Sequence, residues 1–388
     1  MMGPSRWFGV GQASGDDAEP GAKAAKQALQ HPDAKLIIVF CSIALNLNAV
    51  LRQIRDQAPM VPLIGCTTAG EIATSGPGDA GVVVAALGGD GFSVKTACAT
   101  EASGDLRGAG ASAARCMNAI ENREHRVLML LTDSLSGDQQ EIVRGAYQVL
   151  GAGVPLVGGG AGDDAKMAKT YQLHNDQVLT DAVVAAGIGS DSPFGIGVRH
   201  GWLRVGNPML VTRSGGNRVF TLDDEPALDV YLEHLGYGGM WPEDQRLLAR
   251  IAQTHPLGLA RRVGEDQIRF IAGGDFKDRS LTCIAEVPQG GLVWIMEGDA
   301  ESVLAATDSA CQDSRAALGG RPPLGMVAFD CIARRGVLGN TGIMTEIAHV
   351  SANAGGAPIA GFYTYGEIAR TQGMSGFHNQ TLVVLSIS

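Results

Sequence analysis

The chain has 388 residues, of which 45% are hydrophobic and 18% charged, and a net charge of −10. It is long enough for more than one core and too apolar to be disordered. No stripe of Lys and Arg offsets the negative charge, which excludes phosphate-backbone binding as the main function and favours a small ligand or a protein partner.

The first residues carry no apolar signal core, and no apolar run is long enough to span a bilayer, so a cytoplasmic protein without membrane contact is expected. The seven Cys are odd in number and form no Cys-x-x-Cys pair. They read as reduced, buried thiols.

In chain order, "FGVGQASGDDAEPGAKAAKQALQ" from Phe8 predicts a strand, then an Ala-rich helix with Asp16 as its cap. "KLIIVFCS" from Lys35 predicts a buried strand, followed by a helix-like stretch. Next come the phrase "PLIGCTTAGEIA" (62–73), a turn-rich stretch and the strand "GVVVAALGG" from Gly81. The pattern then repeats. "FSVKTACATEASGDLRGAGASAARCMNAI" from Phe92 gives a strand and a helix capped by Asp105, and "HRVLMLLTDS" from His125 gives a strand. "SGDQQEIVRGAYQVLGAG" predicts a helix opened by a Ser-to-Gln capping pattern and closed on Gly. A weaker copy of the phrase, "PLVGGGAGDDAK" (155–166), precedes the strand "DAVVAAGIG" from Asp181.

The stretch at about 191–290 breaks the pattern, with hairpin strands, a helix near "DDEPALDVYLEHLG" and further strands at "QIRFIAGG" and "SLTCIAEV". The third copy runs from "LVWIMEGDAESVLAATDSACQDSRAAL" at Leu292, with Asp299 as a cap, through "LGMVAFDC" from Leu324. A longer, less clearly helical stretch leads to "PIAGFYTYGEIA" (358–369) and "TLVVLSIS" from Thr381. The fold class expected is therefore α/β. Three related βαβαββ units, at about 7–91, 92–190 and 291–388, form mixed sheets, with a β-rich insert between the second and third.

The phrases "IGCTTAGEI", "LVGGGAGDD", "RHGWLRVGNPMLVT", "LDDEPALDVY", "FDCIARRG" and "FYTYGEIARTQGMSGFHNQTLVVL" together resemble the FIST family, over nearly the whole chain. The resemblance implies a FIST N-type sensory domain over 1–190 and a FIST C-type domain over 191–388. It implies binding of a small ligand, an amino acid or similar metabolite. It also implies a signal passed in trans to a histidine kinase, a cyclic-di-GMP enzyme or a chemoreceptor. The stand-alone NosP branch, haem-based sensors of nitric oxide that regulate such partners, gives the alternative reading. An enzyme using Cys66 or Cys331 is a third.

The candidate residues lie where the copies of the phrase differ. Cys66 and Thr67 sit in the first turn, where Cys66 is a packed small residue, a ligand contact or, given a nearby base, a nucleophile. Gly159 and Gly160 lie in a Gly-rich loop that either cradles an anion through its N–H groups or makes a tight turn, and Asp163 accepts from an amine ligand or from turn amides. Tyr363 and Tyr365 belong to the third turn. Glu71 and Glu367 share one context and read as turn caps rather than an acid–base pair. His200 is the haem or ligand candidate, against a strand-end His bonded to backbone, and Trp202 walls a pocket or packs in a core. Arg334 and Arg335 grip a carboxylate or make surface ion pairs. Zinc and calcium motifs are absent. If the three turns converge on one pocket, the sensory reading gains; if they lie apart, the phrase is architecture.

Overall fold

The computed structural model describes residues 5–120, 123–237, 243–261, 265–371 and 376–388; residues 372–375 of the last shared phrase lie outside this set. The first unit contains β1 (Trp7–Ser14), α1 (Pro20–Ala28), β2 (Ala34–Cys41), α2 (Leu47–Gln57) and β3 (Leu63–Thr67). A hairpin, β4 (Glu71–Ala73) and β5 (Gly76–Gly78), and then β6 (Gly81–Gly88) complete it. The second unit repeats this with β7 (Phe92–Thr100), α3 (Leu106–Ala114), β8 (His125–Thr132), α4 (Gln139–Leu150) and β9 (Leu156–Gly160). Its hairpin is β10 (Gln172–His174) and β11 (Gln177–Leu179), followed by β12 (Ala182–Ser190).

The third unit opens with β13 (Phe194–Arg199), ahead of the insert. The insert then runs through β14 (Leu203–Gly215), β15 (Arg218–Leu222), β16 (Glu225–Pro226), α5 (Ala227–His234) and α6 (Gln245–Ala252). It continues with β17 (Leu257–Leu259), β18 (Gln267–Arg269), β19 (Ile271–Asp275), β20 (Ser280–Cys283) and β21 (Leu292–Glu297). The third unit resumes with α7 (Ala300–Ala316), β22 (Gly325–Cys331), α8 (Ile332–Ala354) and β23 (Ile359–Thr364). Its hairpin is β24 (Glu367–Arg370) and β25 (Phe377–His378), before β26 (Leu382–Ile387).

Three sheets share one strand order: β1-β6-β2-β3-β10-β11, β7-β12-β8-β9-β24-β25 and β13-β26-β22-β23-β4-β5. In each, the two Val- and Ile-rich central strands run parallel, as in Ile37↔Leu63, and the unit's last strand joins them antiparallel. Each unit lends its hairpin to another unit's sheet, so the three interlock in a ring. Cys66 faces Gln172, Gly159 faces Glu367 and Phe362 faces Glu71. The inner faces meet in one core, where Phe362 stacks on Phe40 at 4.7 Å and meets Phe329 edge-on at 5.9 Å, beside Met129, Leu131 and Cys66. Each such aromatic pair adds about 0.5–1.5 kcal/mol beyond area burial. The outer faces are covered by the helix pairs α1/α2, α3/α4 and α7/α8, each over its own apolar cluster.

The α/β class, the mixed sheets and the β-rich insert agree with the sequence, but the insert interrupts the third unit instead of preceding it. β21, expected to open that unit, pairs with β14 and β17 of the insert. β13 takes the place beside β26. Close packing explains why. A Cβ on Gly195 or Gly197 would lie 1.7–1.8 Å from backbone oxygens of α7, and one on Gly9 or Gly11 2.0–2.2 Å from those of α1. The shared "FGVG" and "FGIG" let a helix lie on the first strand in both units.

Other local expectations change too. Asp105 and Asp299 cap α3 and α7, but α1 has Glu19 at its N-cap with no side-chain bond, and Asp16 does not cap it. Asp138 caps α4 in place of the Ser-to-Gln pattern. The stretch before the third phrase is helical, as α8, broken at Gly339 with φ 62°. The insert builds a separate half-barrel sheet over its own core, which includes Tyr231 and Leu248.

Candidate functional site

The three phrase turns converge. Gly162 N–H donates to Thr67 O at 2.9 Å and Asp164 N–H to Thr68 O at 3.2 Å, joining the first turn to the second. Gly160 N–H donates to Gly366 O at 2.8 Å and Tyr365 N–H to Gly160 O at 3.1 Å, joining the second to the third. Ala69 N–H donates to Tyr363 O at 2.9 Å and Tyr363 N–H to Gly70 O at 2.8 Å, closing the ring. This hub lies at the C-terminal ends of the parallel strands, where α/β folds place ligands.

Glu71 and Glu367 build the hub rather than react in it. Glu71 accepts from Thr68 Oγ1 at 2.6 Å and Gly81 N–H at 3.1 Å, and Glu367 accepts from Thr364 Oγ1 and from Thr381 N–H at 3.1 Å. Burial pushes both carboxyls up to about 8. The counterpart in the second unit is Gln172, whose Nε2 donates to Thr170 Oγ1 at 3.3 Å.

Two clefts separate the hub from the insert. The first, of about 270 Å³, is apolar and lined by Met167, Phe270, Ile284, Ile332, Ala333 and Tyr365, with Cys331, Gln253 and Asn379. The second, of about 580 Å³, is more polar, with Asp79, Asp164, Arg335 and Asn340 on its walls and Gln253 and Ile332 shared with the first. Cys331 at the N-cap of α8 lines the apolar cleft with Ile332 and Ala333, so the first turn of the short helical segment that ends at the Gly339 break borders it. Asn379 donates Nδ2–H to His378 O at 3.1 Å, while its buried Oδ1 has no partner. The cleft thus offers positive polarity, an unused acceptor and an apolar wall.

Of the sequence candidates, Tyr365 and Cys331 line the apolar cleft and Arg335 the polar one. The Tyr365 hydroxyl donates to Asp163 Oδ1. Asp163 also accepts from Met167, Ala168 and Lys169 N–H at 2.7–2.8 Å. Burial opposes the charge of Asp163, but these hydrogen bonds hold its carboxyl below the ordinary range. Thr67 and Gly160 serve the hub through backbone. Cys66 lies in the central core, and a Cβ on Gly159 would strike Thr364 at 2.7 Å. Tyr363 is buried, with Arg335 5.0 Å over its ring.

Arg334, a candidate carboxylate grip, is fully buried and already engaged. Its Nε meets Asp330 at 2.7 Å, and its second amino group meets Glu346 at 2.6 Å and Thr307 at 2.8 Å. Burial works against its charge and the two carboxylates outweigh it. Arg335, its half-buried neighbour, lines the polar cleft instead and bonds Ala69 O at 2.6 Å and Asp79 at 2.7 Å.

His200 and Trp202 brace the site from behind. His200 Nδ1 accepts from Trp202 N–H at 2.9 Å, and Trp202 Nε1–H donates to Gln380 O at 3.0 Å. His200 Nε2 is buried 3.4 Å from the Glu265 carboxylate. Burial lowers the imidazole to about 4. With one ring nitrogen committed, the other facing Glu265, and no imidazole lining either cleft, these residues do not fit haem ligation. Burial likewise drives the Cys66 and Cys331 thiols well above the ordinary range, against a nucleophile.

Sequence reasoning missed Met167, Gln253, Phe270 and Ile284 as cleft residues, whereas Arg335 was paired with Arg334 as a carboxylate grip. Phe270 and Ile284 sit in the quoted insert strands, and nothing in the sequence shows which face of the insert turns to the hub. Among the described residues no helix is long and apolar enough to cross a membrane, and no cluster of metal-ligating side chains is found.

Residues 35–225 match the FIST N domain and residues 227–370 the FIST C domain. FIST domains are sensory domains of signal-transduction proteins and bind small ligands. An uncharacterized protein of Methanocaldococcus jannaschii is 28% identical over 156 residues, which cover 38% of this chain and 30% of that protein. The match therefore spans under a third of that relative's length. Uncharacterized proteins from two strains of Mycobacterium tuberculosis are each 26% identical over 268 residues, covering 68% of both chains. T. maritima PurL complexed with ATP superposes with a TM-score of 0.24 at 10% identity over 99% of this chain and 72% of that one, a likeness that says nothing of fold or activity. With two matched domains in tandem over most of its length, the chain belongs to the FIST family of sensory proteins.

Proposed function

We propose that the protein is an intracellular sensor that binds an amino acid or similar metabolite in the cleft between hub and insert. It passes the signal in trans to a histidine kinase, a cyclic-di-GMP enzyme or a chemoreceptor. One observation carries the reading: the first turn of α8 and the unpartnered Asn379 Oδ1 share one apolar cleft. A carboxylate suits the helix start and an ammonium suits Oδ1. An apolar side chain then lies among Met167, Phe270 and Ile284.

Calorimetric titration with the twenty amino acids tests this. At least one is expected to bind, and Asn379→Ala is expected to weaken it about tenfold or more, the worth of a hydrogen bond to a charged group. No binding of any amino acid by wild type would remove the amino-acid assignment, and equal affinity for wild type and variant would remove the apolar cleft as its site.

A further inference from the structure

The second turn departs from its two counterparts in length. Eleven residues, 161–171, separate β9 from β10, against three (68–70) between β3 and β4 and two (365–366) between β23 and β24. The extra chain lies over the clefts. Asp163 and Thr170 are buried anchors, and residues 164–169 between them are exposed. Asp164 and Ala165 wall the polar cleft and Met167 walls the apolar one.

Three residues in this span, Asp164 (φ 56°), Ala165 (φ 61°) and Met167 (φ 51°), hold the left-handed conformation that favours glycine. Such a path persists only where other contacts over-determine it. Asp164 N–H donates to Thr68 O at 3.2 Å, Lys166 N–H to Asp163 O at 3.3 Å and Ser42 Oγ to the Asp164 carboxylate at 3.4 Å, and the remaining bonds gather on Asp163. Three N–H groups of the span end on the one Asp163 carboxylate. Tyr365 fixes that carboxylate by donating its hydroxyl to Oδ1, and the Tyr365 hydroxyl oxygen accepts Asp163 N–H at 3.2 Å. Thr170 Oγ1 ties the far end to Asp133 at 2.8 Å.

We propose that residues 164–169 form a strap over the clefts, latched by the Asp163–Tyr365 pair, and that a ligand in the apolar cleft competes with Asp163 for the Tyr365 hydroxyl. The competition rests on the reading that this cleft binds the ligand; the latch does not. Occupancy would take Tyr365 from Asp163, loosen the strained span and change the surface presented beside the hub.

Hydrogen exchange on the unliganded full chain tests the latch. Tyr365→Phe is expected to speed exchange at Met167, Ala168 and Lys169 about tenfold or more, while β8 and β9 keep wild-type protection. Asp163→Asn, which keeps the shape and weakens the acceptor, should act in the same place. Wild-type protection of the span in both variants would overturn the latch and leave the ligand reading untouched. Faster exchange spread evenly over the core in both would overturn it too, by making the pair a general brace. A freed strap in a protein that binds no amino acid would instead keep the latch and remove the competition.

Discussion

Glu71 and Glu367 allow the sharpest quantitative prediction. Burial raises both carboxyls from 4.5 to about 8, so the folded chain keeps two protons that the unfolded chain releases near pH 4.5. Stability therefore falls as pH rises from 4.5 and levels off above 8. Between pH 7 and pH 9 the loss is about 1.4 kcal/mol per carboxyl, or about 2.7 for the pair. Gln172 shows that a neutral amide is accommodated at the equivalent position, where its Nε2 donates to Thr170 Oγ1. The double variant Glu71→Gln, Glu367→Gln should fold, and should lose about 2.7 kcal/mol less than wild type between pH 7 and pH 9, measured by urea unfolding at both values. An identical pH 7–9 difference in wild type and double variant would refute the reasoning, because it would mean that both carboxyls are already ionised.

Other consequences follow from buried charge. Arg334→Met leaves Asp330 and Glu346 without their cation, and should cost about 3–5 kcal/mol in denaturant unfolding; adding Asp330→Asn and Glu346→Gln should restore most of it. A single variant as stable as wild type would contradict the buried triad. Burial lowers His200 to about 4 and His378 to about 3. Both stay neutral when folded, while the unfolded chain protonates them below 6.5. Their contribution is thus present above 6.5 and is lost as pH falls through 4 and 3. Below 4.5 the two glutamates no longer offset this loss, and stability should drop steeply. NMR of the imidazole C–H resonances checks the cause: neither His should titrate between pH 8 and pH 5.

Much of the ring was legible in the sequence because it is local. Val and Ile runs such as "GVVVAALGG" mark strands buried on both faces, and the repeated Gly-Glu-Ile marks a repeated strand–turn–strand. The exchange of hairpins was not legible, because either neighbouring sheet offers β4 an equally apolar edge and only assembly chooses. Gln172 escaped notice because the strap separates it from its phrase, so a gapless alignment pairs Asp164 with Glu71. The start of the third unit was readable, in "FGVG" and "FGIG", but Leu292 to Glu297 offers an equally strand-like run. For the site, differences among the turns led to Tyr365 and Asp163. They did not lead to Phe270 and Ile284, which reach the cleft only through docking of the insert. His200 and Arg334 attracted attention as polar residues near apolar strands, and burial gave them bracing roles.

The central claim is that the cleft between hub and insert holds a small metabolite. Native mass spectrometry of the protein purified without denaturation, in wild type and in Ile284→Lys, tests it most directly, because Ile284 is a half-exposed cleft residue whose replacement puts a charge into the apolar wall without entering a core. The account predicts a small molecule retained by wild type, or taken up from an amino-acid mixture, and lost from the variant. Equal retention by both proteins, or no retention and no uptake by wild type, would contradict it.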